Sequence, residues 1–131
     1  MIEHAVVRGN QFRTRELQIE GMRLHAMDAW VRRVSVLTDA EELKAILYAG
    51  ANAGGATVLG EEFCVFPNRA VTGVLVLAQS HLSIHTWPEF ALANVDLLSY
   101  GDIRGAAVLY EICRRLDVER ANISYIERAL G

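Results

Sequence analysis

The chain has 131 residues, 52% of them apolar and 22% charged, and a formal net charge of −3; that suits one domain with a real core and is too short for two. Slight acidity gives no basic field to hold a phosphate backbone, which disfavours nucleic acid as a partner, and no apolar run approaches the roughly 20 residues of a membrane span. Met1-Ile2-Glu3-His4 does not open a signal peptide, and Cys64 and Cys113 are too few and too far apart for a disulfide framework or a zinc site, so a reducing cytoplasm is expected.

Residues 1–20, with Arg8, Arg13, Arg15 and Glu16, show no clear period and are read as an N-terminal arm that orders against a partner subunit, ahead of a domain over 21–131. Residues 21–36 carry a strand, with Leu24, Ala26 and Trp30 as apolar positions in a broken alternation. Thr38-Asp39-Ala40-Glu41 fits a capping box, and Leu43, Ile46, Leu47 and Gly50 follow at helical spacing until Gly54-Gly55 ends the helix. A strand over 56–66, a turn at Pro67-Asn68-Arg69 and a buried strand over 71–78 come next. A further strand over 90–98 is broken at Gly101-Asp102, where Asp102 can cap a helix over 103–116 with Ala106, Leu109, Cys113 and Leu116 on one face. The last strand spans 118–126. This order predicts an α+β two-layer sandwich, a largely antiparallel sheet with two helices on one face. The other sheet face needs a cover, and a second subunit is the simplest one.

Between the two most apolar runs lies Gln79-Ser80-His81-Leu82-Ser83-Ile84-His85-Thr86-Trp87-Pro88-Glu89. It reads either as a polar hairpin turn or as a site where three hydroxyls, two imidazoles, an indole and a carboxylate are held together. Ser80 alone is a turn residue or a nucleophile candidate. His85, five residues on, faces the other way along a continuous strand, so the two meet only if the backbone bends between them. No G-x-S-x-G elbow and no third triad member accompany them. No acidic or cysteine ligand is spaced to join His81 and His85, so no metal is expected.

The run Ser80 to Glu89 resembles the signature of the prokaryotic S-adenosylmethionine decarboxylases, and the likeness extends to Gly54-Gly55-Ala56-Thr57-Val58-Leu59, Thr72-Gly73-Val74 and Asn94-Val95-Asp96. It covers most of residues 20–127 and implies that family's α+β sandwich. It also implies self-cleavage between Gln79 and Ser80. The Ser80 hydroxyl attacks the Gln79 carbonyl to give an ester, and elimination and hydrolysis leave a β chain of 1–79 and an α chain of 80–131 that begins with a pyruvoyl group formed from Ser80. By resemblance Thr72 stabilises the tetrahedral intermediate and His85 takes the Cα proton, a task that suits an imidazole. The pyruvoyl ketone condenses with a substrate amine and accepts the electrons left when carbon dioxide departs. Phe66, Trp87 and Glu89 fall at substrate-pocket positions, where aromatic faces suit a sulfonium or adenine; the alternative for Phe66 and Trp87 is a place in the core.

Two positions depart from the family pattern. Gln79 replaces the usual glutamate before the serine. Tyr100 stands where the family has the cysteine that returns a proton to the substrate carbon, with an ordinary pKa of about 10 against about 8.5 and much greater bulk. The resemblance implies a pyruvoyl-dependent decarboxylase of polyamine biosynthesis, a homo-oligomer built on dimers of αβ protomers, acting on S-adenosylmethionine. The alternatives are a relative that decarboxylates L-arginine or L-ornithine, or a non-catalytic regulatory or binding homologue.

Overall fold

The computed structural model describes residues 21–128 and the backbone of residues 2–8. The elements are β1 (Ile2–Arg8), β2 (Met22–Val31), α1 (Ala40–Ala53), β3 (Val58–Val65), β4 (Val71–Leu77), β5 (Ser80–Trp87), β6 (Leu92–Tyr100), α2 (Gly105–Leu116) and β7 (Val118–Arg128), with short 3-10 helices at Val34–Thr38 and Pro88–Phe90. The strands form one seven-stranded sheet in the order β1-β7-β2-β6-β5-β4-β3. Every neighbouring pair is antiparallel.

Strand alternation decides which face is covered. Met27 and Ala29 of β2, Leu75 and Leu77 of β4, Leu82 and Ile84 of β5, and Val95 and Leu97 of β6 all lie buried under the helices. α1 adds Leu43, Ile46 and Leu47, and α2 adds Val108, Leu109, Ile112 and Leu116. Full burial of each such side chain contributes about 1.5–3 kcal/mol. The two helices also pack tightly on one another. A Cβ at Gly50 would lie 2.7 Å from Ile112, and one at Gly54 would lie 2.2 Å from Val108, so glycine at these positions sets how closely α1 and α2 approach.

The predicted sandwich is what the chain forms, and the differences are local. Asp39, not Thr38, caps α1 by accepting from the Glu42 amide, while the Thr38 hydroxyl donates to the Ser35 carbonyl. α2 begins at Gly105 with Arg104 as its cap residue and no side-chain cap, so Asp102 does not start it. Residues 2–8, read as part of an arm, pair with β7 at the sheet edge; the rest of that stretch, 9–20, lies outside the described residues. The central polar stretch is neither bend nor loop: residues 80–87 are strand β5, between β4 and β6. Its even positions face the core. Thr86, the buried polar residue among them, accepts from the Val71 amide at 2.8 Å and donates to the Leu37 carbonyl at 2.7 Å. Both hydrogen-bonding roles of that buried hydroxyl are therefore filled, and the Val34–Thr38 turn is tied to the sheet.

Candidate functional site

The opposite face of the sheet carries most of the polar side chains of β5. His81, Ser83, His85 and Trp87 of β5 point there, with Thr72 and Val74 of β4 and Asn94, Asp96, Leu98 and Tyr100 of β6 beside them. No helix covers this face among the described residues. The sequence-predicted site residues divide between the two ends of β5; Ser80, at an even position, takes the core-facing side of the pleat at its end.

At one end are Gln79, Ser80 and Tyr100. β4 and β5 are joined by a hairpin whose two loop residues are Ala78 and Gln79, with Leu77 paired to Ser80. Gln79 has φ +64°, in the left-handed region that costs a residue with a Cβ about 1–2 kcal/mol. The Gln79–Ser80 peptide therefore leaves a strained turn and enters a ladder. The half-buried Ser80 hydroxyl donates to the Leu98 carbonyl. Continuing the register of β5 and β6 by two residues beyond His81–Leu98 sets Tyr100, 38% exposed, alongside Gln79.

At the other end are Thr72, His85, Phe66, Trp87 and Glu89. Thr72 and His85 are direct cross-strand partners, and Thr72 Oγ1 lies 3.0 Å from His85 Nδ1. Phe66 closes the β3–β4 turn, accepting from the Arg69 amide and donating to the Ala70 carbonyl. It is exposed, as are Trp87 at the end of β5 and Glu89 in the short helix after it, so neither aromatic side chain belongs to the core. The Trp87 indole donates to Asn94 Oδ1 at 2.6 Å, and Asn94 Nδ2 donates to Asp28 Oδ1 at 2.7 Å.

Within one chain these ends do not meet. The β4–β5 ladder runs without a register shift from Thr72–His85 to Leu77–Ser80, so the bend expected between residues 80 and 85 is absent. Five residues of strand separate Ser80 from His85 by roughly 17 Å, on opposite sides of the pleat.

Cross-strand register also collects residues that linear reading kept apart. Cys64, Thr72, His85, Asn94, Asp28 and Asn122 are successive members of one rung across β3, β4, β5, β6, β2 and β7. The Cys64 thiol is free and exposed; Cys113 is buried against Met27, and burial pushes its thiol up to about 12. No signal in the sequence singles out Asp28, which lies 66 residues from Asn94. On the core face, His25 is fully buried beneath the start of α2 and edge-on to Tyr125, with ring centroids 4.9 Å apart. Burial lowers its imidazole from 6.5 to about 4, so it is neutral. No group of three or more His, Cys, Asp or Glu that could hold a metal occurs among the described residues, and no helix there is long and apolar enough to cross a membrane.

Residues 23–129 match the family model for S-adenosylmethionine decarboxylase. An S-adenosylmethionine decarboxylase proenzyme of Symbiobacterium thermophilum is 51% identical over 65 residues, which cover 50% of this chain and 49% of that protein. One from Methanococcus maripaludis is 31% identical over 105 residues, 79% of this chain and 86% of its own length. The chain spans about half to three fifths of the length of the first curated relatives that it matches. Among solved structures, the adenosylmethionine decarboxylase of Aquifex aeolicus VF5 superposes with a TM-score of 0.76 at 28% identity, covering 86% of this chain and 94% of that one.

Proposed function

This chain belongs to the S-adenosylmethionine decarboxylase family, and from that premise we propose that it is a self-cleaving, pyruvoyl-dependent decarboxylase acting on S-adenosylmethionine in polyamine biosynthesis. The names of its relatives favour that substrate over L-arginine or L-ornithine, and favour an enzyme over a non-catalytic homologue.

The observation that carries the reading is the placement of the Gln79–Ser80 peptide. It follows a left-handed residue, and the half-buried serine hydroxyl next to the turn donates to the Leu98 carbonyl. Attack by the Ser80 oxygen on the Gln79 carbonyl exchanges the amide for an ester and opens the strained turn. Removal of the Ser80 Cα proton then expels the Gln79 carboxylate, and hydrolysis of the resulting dehydroalanine releases ammonia. These residues fit a pyruvoyl group: the new chain end stays anchored by the rest of β5, which is paired on both sides. That group supplies the ketone into which the electrons of the departing carboxylate flow.

His85 of β5 and Thr72 of β4 in the same chain are too far along the hairpin to serve that Ser80, so we place them in the site of a second copy. A twofold axis standing on the open face near Ser83 lays the Ser80 end of one protomer over the His85 end of the other and makes two equivalent composite sites. The uncovered face and its half-buried Leu24, Val74 and Leu98 support such a dimer of αβ protomers. There the Thr72 hydroxyl, hydrogen-bonded to His85, stabilises the oxyanion, and His85 takes the Cα proton. Phe66, Trp87 and Glu89 bind the cationic substrate, and Tyr100, beside the cleaved end, returns a proton to its carbon. Two free cysteines, one of them exposed, suit the reducing cytoplasm proposed for the enzyme.

Intact-mass analysis with a carbon dioxide release assay tests this. The parent is expected as two chains, the larger ending at Gln79, and Ser80→Ala as one uncleaved chain without activity. A parent that stays full length after prolonged incubation refutes the reading.

A further inference from the structure

Trp87 ends β5 with its ring 45% exposed, yet its indole is not free to turn. Its N–H donates to Asn94 Oδ1 at 2.6 Å, and the other end of the same amide donates to Asp28 Oδ1 at 2.7 Å. The chemistry fixes the direction of this chain. An indole only donates and a carboxylate only accepts, so the group between them must present an acceptor to one and a donor to the other. A primary amide does both. Its orientation follows from these two partners without further assumption.

Charge is the second feature. Asp28 has no cationic partner among the described residues. Arg120, on the neighbouring strand, is engaged elsewhere, with its guanidinium 3.7 Å from the centroid of the Trp30 ring. Asp28 therefore presents a carboxylate without an ion-pair contact on the face where Thr72, His85 and Trp87 lie, and its pull on the Asn94 amide strengthens the acceptor facing the indole. A better acceptor on the indole N–H makes the ring more electron-rich, which favours a cation above it.

We propose that Asn94 and Asp28 are positioning and specificity-determining residues for the substrate end. Asn94 holds the Trp87 ring in one pose, and Asp28 both orients that amide and biases the site toward a ligand with a positive centre, a sulfonium. The proposal rests on the reading of Trp87 as a substrate-pocket residue.

Three variants separate its parts. Asn94→Leu keeps the branched shape and removes both hydrogen bonds. Asp28→Asn keeps an acceptor for Asn94 and removes the charge. Trp87→Phe assigns the indole signal, since the chain has only two tryptophans, Trp30 and Trp87. The pose is read from the Trp87 indole N–H resonance in a Ser80→Ala background, which needs no turnover. Asn94→Leu is expected to move it toward the free-indole position, and Asp28→Asn to leave it nearly in place. Selectivity is read on the processed enzyme, with S-adenosylmethionine as substrate and its uncharged thioether analogue, S-adenosylhomocysteine, as inhibitor. Asp28→Asn should raise KM for the sulfonium on the order of three- to tenfold, with a smaller change in kcat and an inhibition constant for the thioether that hardly moves. An unmoved indole resonance in Asn94→Leu overturns the positioning role. Equal weakening of sulfonium and thioether by Asp28→Asn, or no weakening of either, overturns the charge role. A parent without carbon dioxide release instead refutes the site reading, and the indole resonance still decides the pose.

Discussion

The two ends of the β4–β5 hairpin are ordered by different means. At the Trp87 end, Thr72, His85, Asn94 and Asp28 are direct neighbours on one rung of four paired strands, and their side chains hydrogen-bond to one another or to Trp87. At the Ser80 end, the groups of interest sit on a two-residue turn and a strand terminus, with left-handed Gln79 between them. One end is pre-organised and the other holds local strain. That division suits the proposed function, in which cleavage happens once and substrate binding recurs. A break after Gln79 gives up one turn and leaves both ladders of β5 in place, so the substrate end need not move when the processing end does.

The sharpest way to break this comparison is to damage the ends in separate molecules. Ser80→Ala and His85→Ala are each expected to be inactive alone. When the two are unfolded, mixed and refolded together, about a quarter of the composite sites combine an intact Ser80 with an intact His85 from the other copy, and activity should return to that order. A mixture as dead as its components would place both ends in one protomer's site and undo the split.

Tyr100→Cys probes the Ser80 end by itself. A thiol is smaller than a phenol and has the lower ordinary pKa, so the variant should turn over S-adenosylmethionine faster than the parent by roughly tenfold, one unit of Brønsted advantage or a little more. Carbon dioxide release from parent and variant, measured together, decides it; a slower variant makes Tyr100 the better donor.

Next in size is the pH response beneath β6, where His25 is paired in register with Leu97 and packed against α2. Its pKa is about 4 folded against 6.5 for the free side chain, pushed down first by burial and also by Arg23. Between these values the unfolded chain binds more protons than the native one. Stability from this group is therefore full above pH 6.5, falls as pH drops toward 4 and levels off below, by about 3 kcal/mol in all. Urea unfolding of the uncleaved Ser80→Ala protein at pH 7 and pH 4.5 should show the loss, and His25→Leu should flatten it. An equal pH dependence in both proteins assigns the effect to other groups.

The smallest effect belongs to the floor of the Trp87 end. Gly73 lies next to Thr72 on the core face, and a Cβ there would lie 2.1 Å from the Phe63 ring. Gly73→Ala should cost about 1–3 kcal/mol through displacement of that ring, lowering Tm by several degrees. Because Phe63 is on the other side of the sheet from Trp87, the Trp87 indole resonance should shift little; a large shift would mean that the rung depends on the core face beneath it.

How much of this is legible in the chain depends on sequence distance. Leu43, Ile46 and Leu47 announce α1, and Ala106, Leu109, Cys113 and Leu116 announce α2, because helical neighbours lie three or four residues apart. Caps are read less well: Asp39 took the place expected of Thr38, since the Val34–Thr38 turn had already engaged the Thr38 hydroxyl. The apolar runs before and after residue 79 mark strands, but the polar run between them reads equally as a hairpin turn or as a held site. Alternation of Leu82, Ile84 and Thr86 with His81, Ser83 and His85 is the period-two signal of a strand with one buried face, and the hydroxyls and imidazoles obscured it.

What the sequence by itself determined is the two-layer architecture, its two helices and the residues worth testing, since amphipathic period and the motif from Ser80 to Glu89 are both local in the chain. Only the tertiary structure decided which of those residues share an end of the sheet. Antiparallel pairing is set by register across strands, and register joins Thr72 to His85 and Asn94 to Asp28 while holding Ser80 and His85, five residues apart in the chain, away from each other.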